Sequence, residues 1–270
     1  MLPYASLTLL TLAATTTATC PRSTLQSATT ALLAAQTAGN LSALPLSANT
    51  TYLENDASVT LTSSILTTAL PIDLSRSLHD TTLCATFTEI ISATAPHPYM
   101  IMTRMLLTAD GAAISRIENV VADKGDWLFN AQASLSKAQS EVWDVVPEGK
   151  RDARDTIRAA GDKYLDSWAD GKVSVPYGSP CARLEGGSYT TNCKMPEFPK
   201  QFKVLTVRRA KNRRYVIDEE IGAVDIFNDF PFLDANKPNG TSSTNFVRVE
   251  GGKIRYIHEV TICTQNNCGR

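Results

Sequence analysis

The feature that most constrains this chain is that much of it is written twice. Arg76, Asp80 and Ala85 recur in the same order and at one constant offset as Arg214, Asp218 and Ala223. Further on, the run from Asp110 to Glu118, with Gly111, Ile114 and Ile117, is echoed from Gly251 to His258, with Gly252, Ile254 and Ile257. A duplicated phrase of this kind marks a duplicated structural unit. The 270 residues therefore divide into a first unit at 20–138, a linker at 139–150 and a second unit at 151–270. Each unit has an ordinary size for a domain.

Residues 1–19 precede the first unit. They are uncharged, apolar in the centre and end in small residues. They read as a secretory signal peptide cut near Ala18 or Thr19, without the usual basic start. The stretch is too short and too rich in threonine for a transmembrane anchor. Secretion gives the six cysteines a meaning. Cys20 and Cys84 fall in the first unit and are expected to bond to each other. Cys181, Cys193, Cys263 and Cys268 fall in the second and are expected to pair among themselves, as Cys181–Cys263 and Cys193–Cys268. The sequons at Asn40, Asn49 and Asn239 fit a secreted glycoprotein.

Lysine and arginine number 26 against 27 acidic residues, a net charge of −1. With no basic tract, nothing points to nucleic acid or to an anionic membrane. Histidines at 79, 97 and 258 are too scattered for a metal centre, and no cysteine pair has zinc-site spacing. The chain lacks a nucleophile elbow, a phosphate-binding loop, a dinucleotide fingerprint and a zincin helix. Any enzyme here is expected to be cofactor-free.

Helical spacing of apolar residues covers 24–37 and 151–169. A short helical turn is expected within 59–70. Strand patterns cover 51–55, 75–92, 99–108 and 113–123 in the first half. In the second they cover 202–208, 214–227, 246–249 and 254–263, with the 173–185 region mirroring that around Tyr52 and Tyr177 standing for Tyr52. A long loop is expected at 229–243. Each half is thus a long helix, a short helical segment and a run of antiparallel strands. The apolar face of such a sheet needs the helix as cover.

This order of elements resembles the α+β cone fold of nuclear transport factor 2-like, or SnoaL-like, proteins. The phrases at 79–87 (His79 to Phe87), 125–130 (Gly125 to Asn130), 180–187 (Pro180 to Gly187), 213–219 (Arg213 to Glu219) and 251–258 (Gly251 to His258) are also similar to those of an uncharacterised family of secreted fungal proteins. The resemblance spans nearly the whole mature chain. It implies two tandem cone-shaped units, each a curved antiparallel sheet wrapped on a long helix, packed as an internal pseudo-dimer and stapled by disulfides. Cone-fold relatives include ketosteroid isomerases, polyketide cyclases, dehydratases and epoxide hydrolases, and also domains that only bind. The fold does not choose among these.

Arg214 and Asp218 are four apart, so a strand places both on one face. Asp218 is the candidate general base or acid, with Arg214 to orient it. The recurrence of the pair as Arg76 and Asp80 favours the structural alternative, an ion pair bracing the sheet. His258, with Tyr256 on its face, is the second acid–base candidate, where the first unit has Glu118. A lone strand histidine is more often a hydrogen-bonded core group. Tyr177, Arg183 and Glu185 are expected near the mouth of the second unit, with Gly186 and Gly187 allowing close backbone approach or a plain turn. Asp225 lies in an apolar run and would hold its proton if buried.

These residues suggest a secreted fungal protein of secondary metabolism that binds a small apolar metabolite and performs cofactor-independent acid–base chemistry as a cyclase, isomerase, dehydratase or epoxide hydrolase. The alternative is a non-catalytic secreted ligand-binding or host-interaction protein. Action on cell-wall polysaccharide ranks last, for want of an exposed aromatic platform.

Overall fold

The computed structural model describes residues 20–193, 209–231, 233 and 237–264. Helix α1 (Arg22–Ala38) buries Leu25, Ala28, Leu32 and Ala35 along one stripe. It stops at Gly39, whose φ of 60° is left-handed. A Cβ there would also meet the Ala69 nitrogen at 2.5 Å, so both backbone and space demand glycine. After 3₁₀ turns and the strands β1 (Leu46–Glu54) and β2 (Ala57–Ser58), the chain makes a meander of β3 (Leu74–Asp80), β4 (Ala85–Ser92), β5 (Tyr99–Leu107) and β6 (Ile114–Ala122). Helix α2 (Ala131–Ala138) leads into the connector. Helix α3 (Arg154–Ser167) opens the second half, which continues through β7 (Tyr177–Glu185), β8 (Ser188–Thr190), β9 (Lys211–Asp218), β10 (Ala223–Phe230), β11 (Thr241–Glu250) and β12 (Lys253–Thr261).

The strands form two six-stranded sheets of identical order, β2-β1-β6-β5-β4-β3 and β8-β7-β12-β11-β10-β9. Duplication in sequence is therefore duplication in topology. The register agrees: Asp80 stands opposite Ala85, and Asp218 opposite Ala223. Arg76 stands opposite Glu89, and its counterpart Arg214 opposite Phe227.

Several expectations are corrected. The sheets are mixed, because β1 pairs parallel to β6 and β7 parallel to β12. These neighbours are joined through a whole meander rather than a hairpin, and only hairpins impose antiparallel pairing locally. The runs 75–92 and 214–227 each fold back as two strands. The turns between them carry Cys84 and Gly222, with φ of 54° and 65°. Strands β10 and β11 pair from Ala223–Arg248 to Phe230–Thr241, taking up both ends of the expected long loop. The counterpart of Tyr52 is Arg183, since these face Ile117 and Ile257; Tyr177 corresponds to Leu46. The expected strand 202–208 lies outside the described residues.

The sheets pack face to face. Phe87, Met102 and Val120 meet Val216, Phe227, Phe246 and Val260 between them, and the Phe87 ring lies 4.9 Å from that of Phe246. Helix α1 covers the other face of the first sheet through Leu25, Leu32, Met105 and Ile117. Helix α3 covers the second through Ile157, Tyr164, Val224, Ile226 and Val247. With both faces covered, every residue of β4 is buried.

Cys20–Cys84 ties the start of α1 to the β3–β4 turn. Cys181 bonds to Cys193, 12 residues on, and not to Cys263. The β7–β8 hairpin doubles the chain back, which cysteine spacing does not reveal. Cys263 is itself disulfide-bonded, and Cys268 lies outside the described residues. Disulfides fit an oxidising compartment. Among the described residues no helix is long and apolar enough to cross a membrane.

Candidate functional site

Successive residues of a strand point to opposite faces. In this molecule one face of each sheet meets a helix and the other meets the second sheet. That choice decides what each candidate residue does.

Asp218 ends β9 at the junction of the two units. Its oxygens accept two hydrogen bonds from Arg22, at 2.9 and 2.8 Å, and others from the backbone N–H groups of His79, Glu220 and Ile221. Asp80 mirrors it. Arg154 donates to Asp80 at 2.8 and 2.6 Å, and the Ile217 N–H donates at 2.9 Å. Each helix thus begins with an arginine that grips the turn of the other unit. Arg214 does not orient Asp218; it pairs with Asp56 at 2.9 Å and with Glu118 at 3.3 Å. The bonds from Arg22, His79, Glu220 and Ile221 fill the acceptor capacity of Asp218 and tie the two units together at this point.

His258 points between the sheets. Its Nδ1 lies 2.7 Å from Glu89 of β4 and its Nε2 2.6 Å from Glu141 of the connector. Burial alone would strip the imidazole of its proton, but the two carboxylates outweigh it and raise the pKa to about 9. Glu89 is held below the usual carboxylate range by His258 and Arg76, against the opposing effect of burial. Trp143 closes this pocket, stacking on Phe246 and Tyr256 at 4.3 and 5.5 Å. The Tyr256 hydroxyl accepts from the Val142 N–H at 3.4 Å. His258 and Tyr256 therefore lock the connector into the seam. Asp225 faces the same seam, fully buried, with neither carboxylate oxygen hydrogen-bonded. Desolvation raises its pKa well above normal despite Arg104 and Arg214, as the sequence reading expected of a buried acid.

The residues that do converge lie on the α3 side of the second sheet. Arg183 and Glu185 of β7 form an ion pair at 3.1 Å. Glu259 of β12 faces Glu185 in register. Glu259 accepts from the Tyr164 hydroxyl of α3 and lies 3.3 Å from Arg183. Trp127, from the loop after β6, donates its indole N–H to Glu185 at 2.7 Å. Tyr177 packs its ring 6.5 Å from Tyr164, and its buried hydroxyl makes no hydrogen bond. Desolvation, with help from Glu185 and against Arg183, pushes the Glu259 carboxyl up to about 8. Tyr177 is pushed up to about 12, by burial first and then by Glu259. Gly186 and Gly187 do permit close approach, but of the chain's own loop: the Gly187 N–H donates to the Leu128 carbonyl at 2.7 Å.

Sequence reasoning found Tyr177, Arg183 and Glu185 and missed Glu259 and Tyr164. The repeat held the signal. Glu259 is the counterpart of Asn119, and it follows His258, so the two must face opposite ways. Asn40 and Asn49 are exposed, as is Asn239. Among the described residues no group of three or more His, Cys, Asp or Glu side chains is placed to hold a metal ion.

Residues 150–261 match a family described as a domain of unknown function (DUF8021). The match covers the second unit as far as residue 261, including Arg183, Glu185 and Glu259. No curated protein matches the chain.

Proposed function

We propose that this is a secreted protein whose second unit is a cone-shaped, SnoaL-like site for a small, largely apolar metabolite, worked on by cofactor-independent acid–base chemistry. The observation that carries this reading is the buried set Glu259, Tyr164, Arg183 and Glu185. Glu259 keeps its proton to about pH 8, which suits a general acid near neutrality. In this reading Arg183, fixed by its ion pair with Glu185, would hold an oxygen that gains negative charge. The apolar wall of Ile157, Val224, Ile226, Val247 and Trp168 suits a hydrophobic substrate. The reaction classes that need only these parts are isomerisation, cyclisation, dehydration and epoxide opening. The disulfides and the exposed sequons support secretion.

One observation favours a second reading, a non-catalytic ligand-binding protein. Glu259 and Glu185 are both engaged by neighbours, as structural ion pairs are. The test is to compare culture metabolites from producing cells that carry the wild type, Glu259→Gln, or no protein. Under the catalytic reading one compound disappears and its precursor accumulates in both altered strains, with turnover by the purified variant down about 100-fold or more. Identical profiles in all three leave the binding reading and sink the enzymatic one.

A further inference from the structure

The three sequons sit differently in the fold. At Asn40 and Asn49 the hydroxyl residue two places on, Ser42 or Thr51, is exposed together with its asparagine. At the third, Asn239 is exposed but Thr241 is only 4 % exposed. Thr241 opens β11 and stands opposite Phe230 of β10. The turn before it is closed by a hydrogen bond from the Gly240 N–H to the Lys237 carbonyl at 2.8 Å. Gly240 has a φ of 112°, and a Cβ there would meet the Asp229 carbonyl carbon at 2.6 Å. N-glycosylation needs the serine or threonine as well as the asparagine, because the transferase must grip both on an accessible stretch of chain. The folded turn presents Asn239 and withholds the Thr241 hydroxyl.

Asn239 also lines a half-open cavity of about 130 Å³, with Arg209, Lys211, Pro231 and Pro238. The cavity lies where β9 begins, β10 ends and β11 begins. Arg209 and Lys211 flank Ala210, which is buried in the helix-side core, so both turn away from that core. Among the described residues no acidic side chain lines the cavity. The two cations are therefore donors for neutral oxygens, and the two prolines are rigid apolar walls. The volume is well below the roughly 300–1,000 Å³ of pockets that enclose a free metabolite. It suits one ring of a larger group anchored at the rim, and Asn239 is such an anchor.

We propose that Asn239 is glycosylated before the second sheet closes, and that the first sugar of this glycan then fills the cavity. The C–H faces of the N-acetylglucosamine ring pack on the two prolines. Arg209 and Lys211 donate to its hydroxyl and acetamide oxygens. The sugar braces the connection between β10 and β11, while glycans on Asn40 and Asn49 stand free in solvent. The proposal rests on the reading of the chain as secreted, because N-glycans are added in the secretory pathway.

The test uses the full chain, expressed in yeast with its own N-terminal residues. The native protein is treated with peptide N-glycosidase, and mass spectrometry follows release at each asparagine. Release at Asn239 should be slower than at Asn40 and Asn49 by about tenfold or more, the scale of one or two net hydrogen bonds. In Arg209→Ala/Lys211→Ala, with folding checked by circular dichroism, it should rise to the rate of the other two. Equal release at all three sites of the wild type, or an Asn239 rate unchanged by the double substitution, overturns the seat and leaves the cavity to solvent. For the order of events, folded protein made without glycans is offered to oligosaccharyltransferase and a lipid-linked donor. Asn40 and Asn49 should be modified, and Asn239 only after the chain is reduced and unfolded. Modification of Asn239 in the folded protein overturns the order. Glycans at Asn40 and Asn49 with none at Asn239 overturn the proposal and leave secretion standing. Empty asparagines at all three sites sink secretion, and this proposal with it.

Discussion

His258 and Asp225 face the same dry seam and meet opposite fates. Burial pushes the Asp225 carboxyl well above the usual carboxylate range, against the nearby Arg104 and Arg214. His258 has two carboxylates and stays charged. Its folded pKa of about 9 lies above the ordinary imidazole value of about 6.5. The stability it contributes is therefore complete below about 6.5 and is lost as pH rises through 9. His258→Leu should cost about 3–5 kcal/mol at pH 6, because it leaves Glu141 buried without its cation and Glu89 with Arg76 alone. The deficit should shrink as pH approaches 10. Urea unfolding of both proteins across this range measures it; a deficit independent of pH would mean that His258 contributes only packing. That His258 sits on a strand was legible in the sequence. Its partners were not, because Glu89 and Glu141 are 169 and 117 residues away along the chain.

At the scale of the element, the turn after β7 shows how one unit is built to receive the other. A Cβ at Gly187 would lie 2.4 Å from that of Asn130, and one at Gly186 would lie 2.6 Å from the Leu128 carbonyl oxygen. Asn130 caps α2 by accepting from the Ala133 N–H at 3.0 Å. Gly187→Ala must displace that cap and draw Trp127 away from Glu185. It should cost about 1–3 kcal/mol, the range for overpacking a filled site, and shift tryptophan fluorescence. Gly171→Ala, where nothing lies within 4 Å, is the control and should be nearly neutral. An equal, small effect at both positions would show that the loop yields freely. The sequence left Gly186 and Gly187 open between close backbone approach and a plain turn. It did not say that the approaching backbone was residues 127–130.

At the scale of the whole molecule, the two units are joined by an exchange of arginines. Arg22 leaves the first unit for Asp218, and Arg154 leaves the second for Asp80. Both aspartates are buried while both arginines keep partial solvent contact. Arg22→Met and Arg154→Met should each cost about 1.5–3 kcal/mol, the range for hydrogen bonds to a charged group. They should do so with loss of cooperativity between the units. Calorimetry would register that as a broadened or split transition; an unchanged single transition would assign the coupling to the apolar seam alone.

Sequence by itself determined the duplication, the two long helices, the strands β5, β6 and β12 and the Cys20–Cys84 bond. Those features are written in local periodicity and in the order of the chain, which covalent connectivity preserves. Tertiary structure alone decided that β1 and β7 run parallel to their neighbours, that Cys181 turns back to Cys193, and that Glu259 rather than Asp218 lies with Arg183. The physical reason is common to all three. Strand alternation separates two faces, but when both are buried, apolar patterning cannot say which one meets the helix and which the other sheet. Only the packing of the two sheets does.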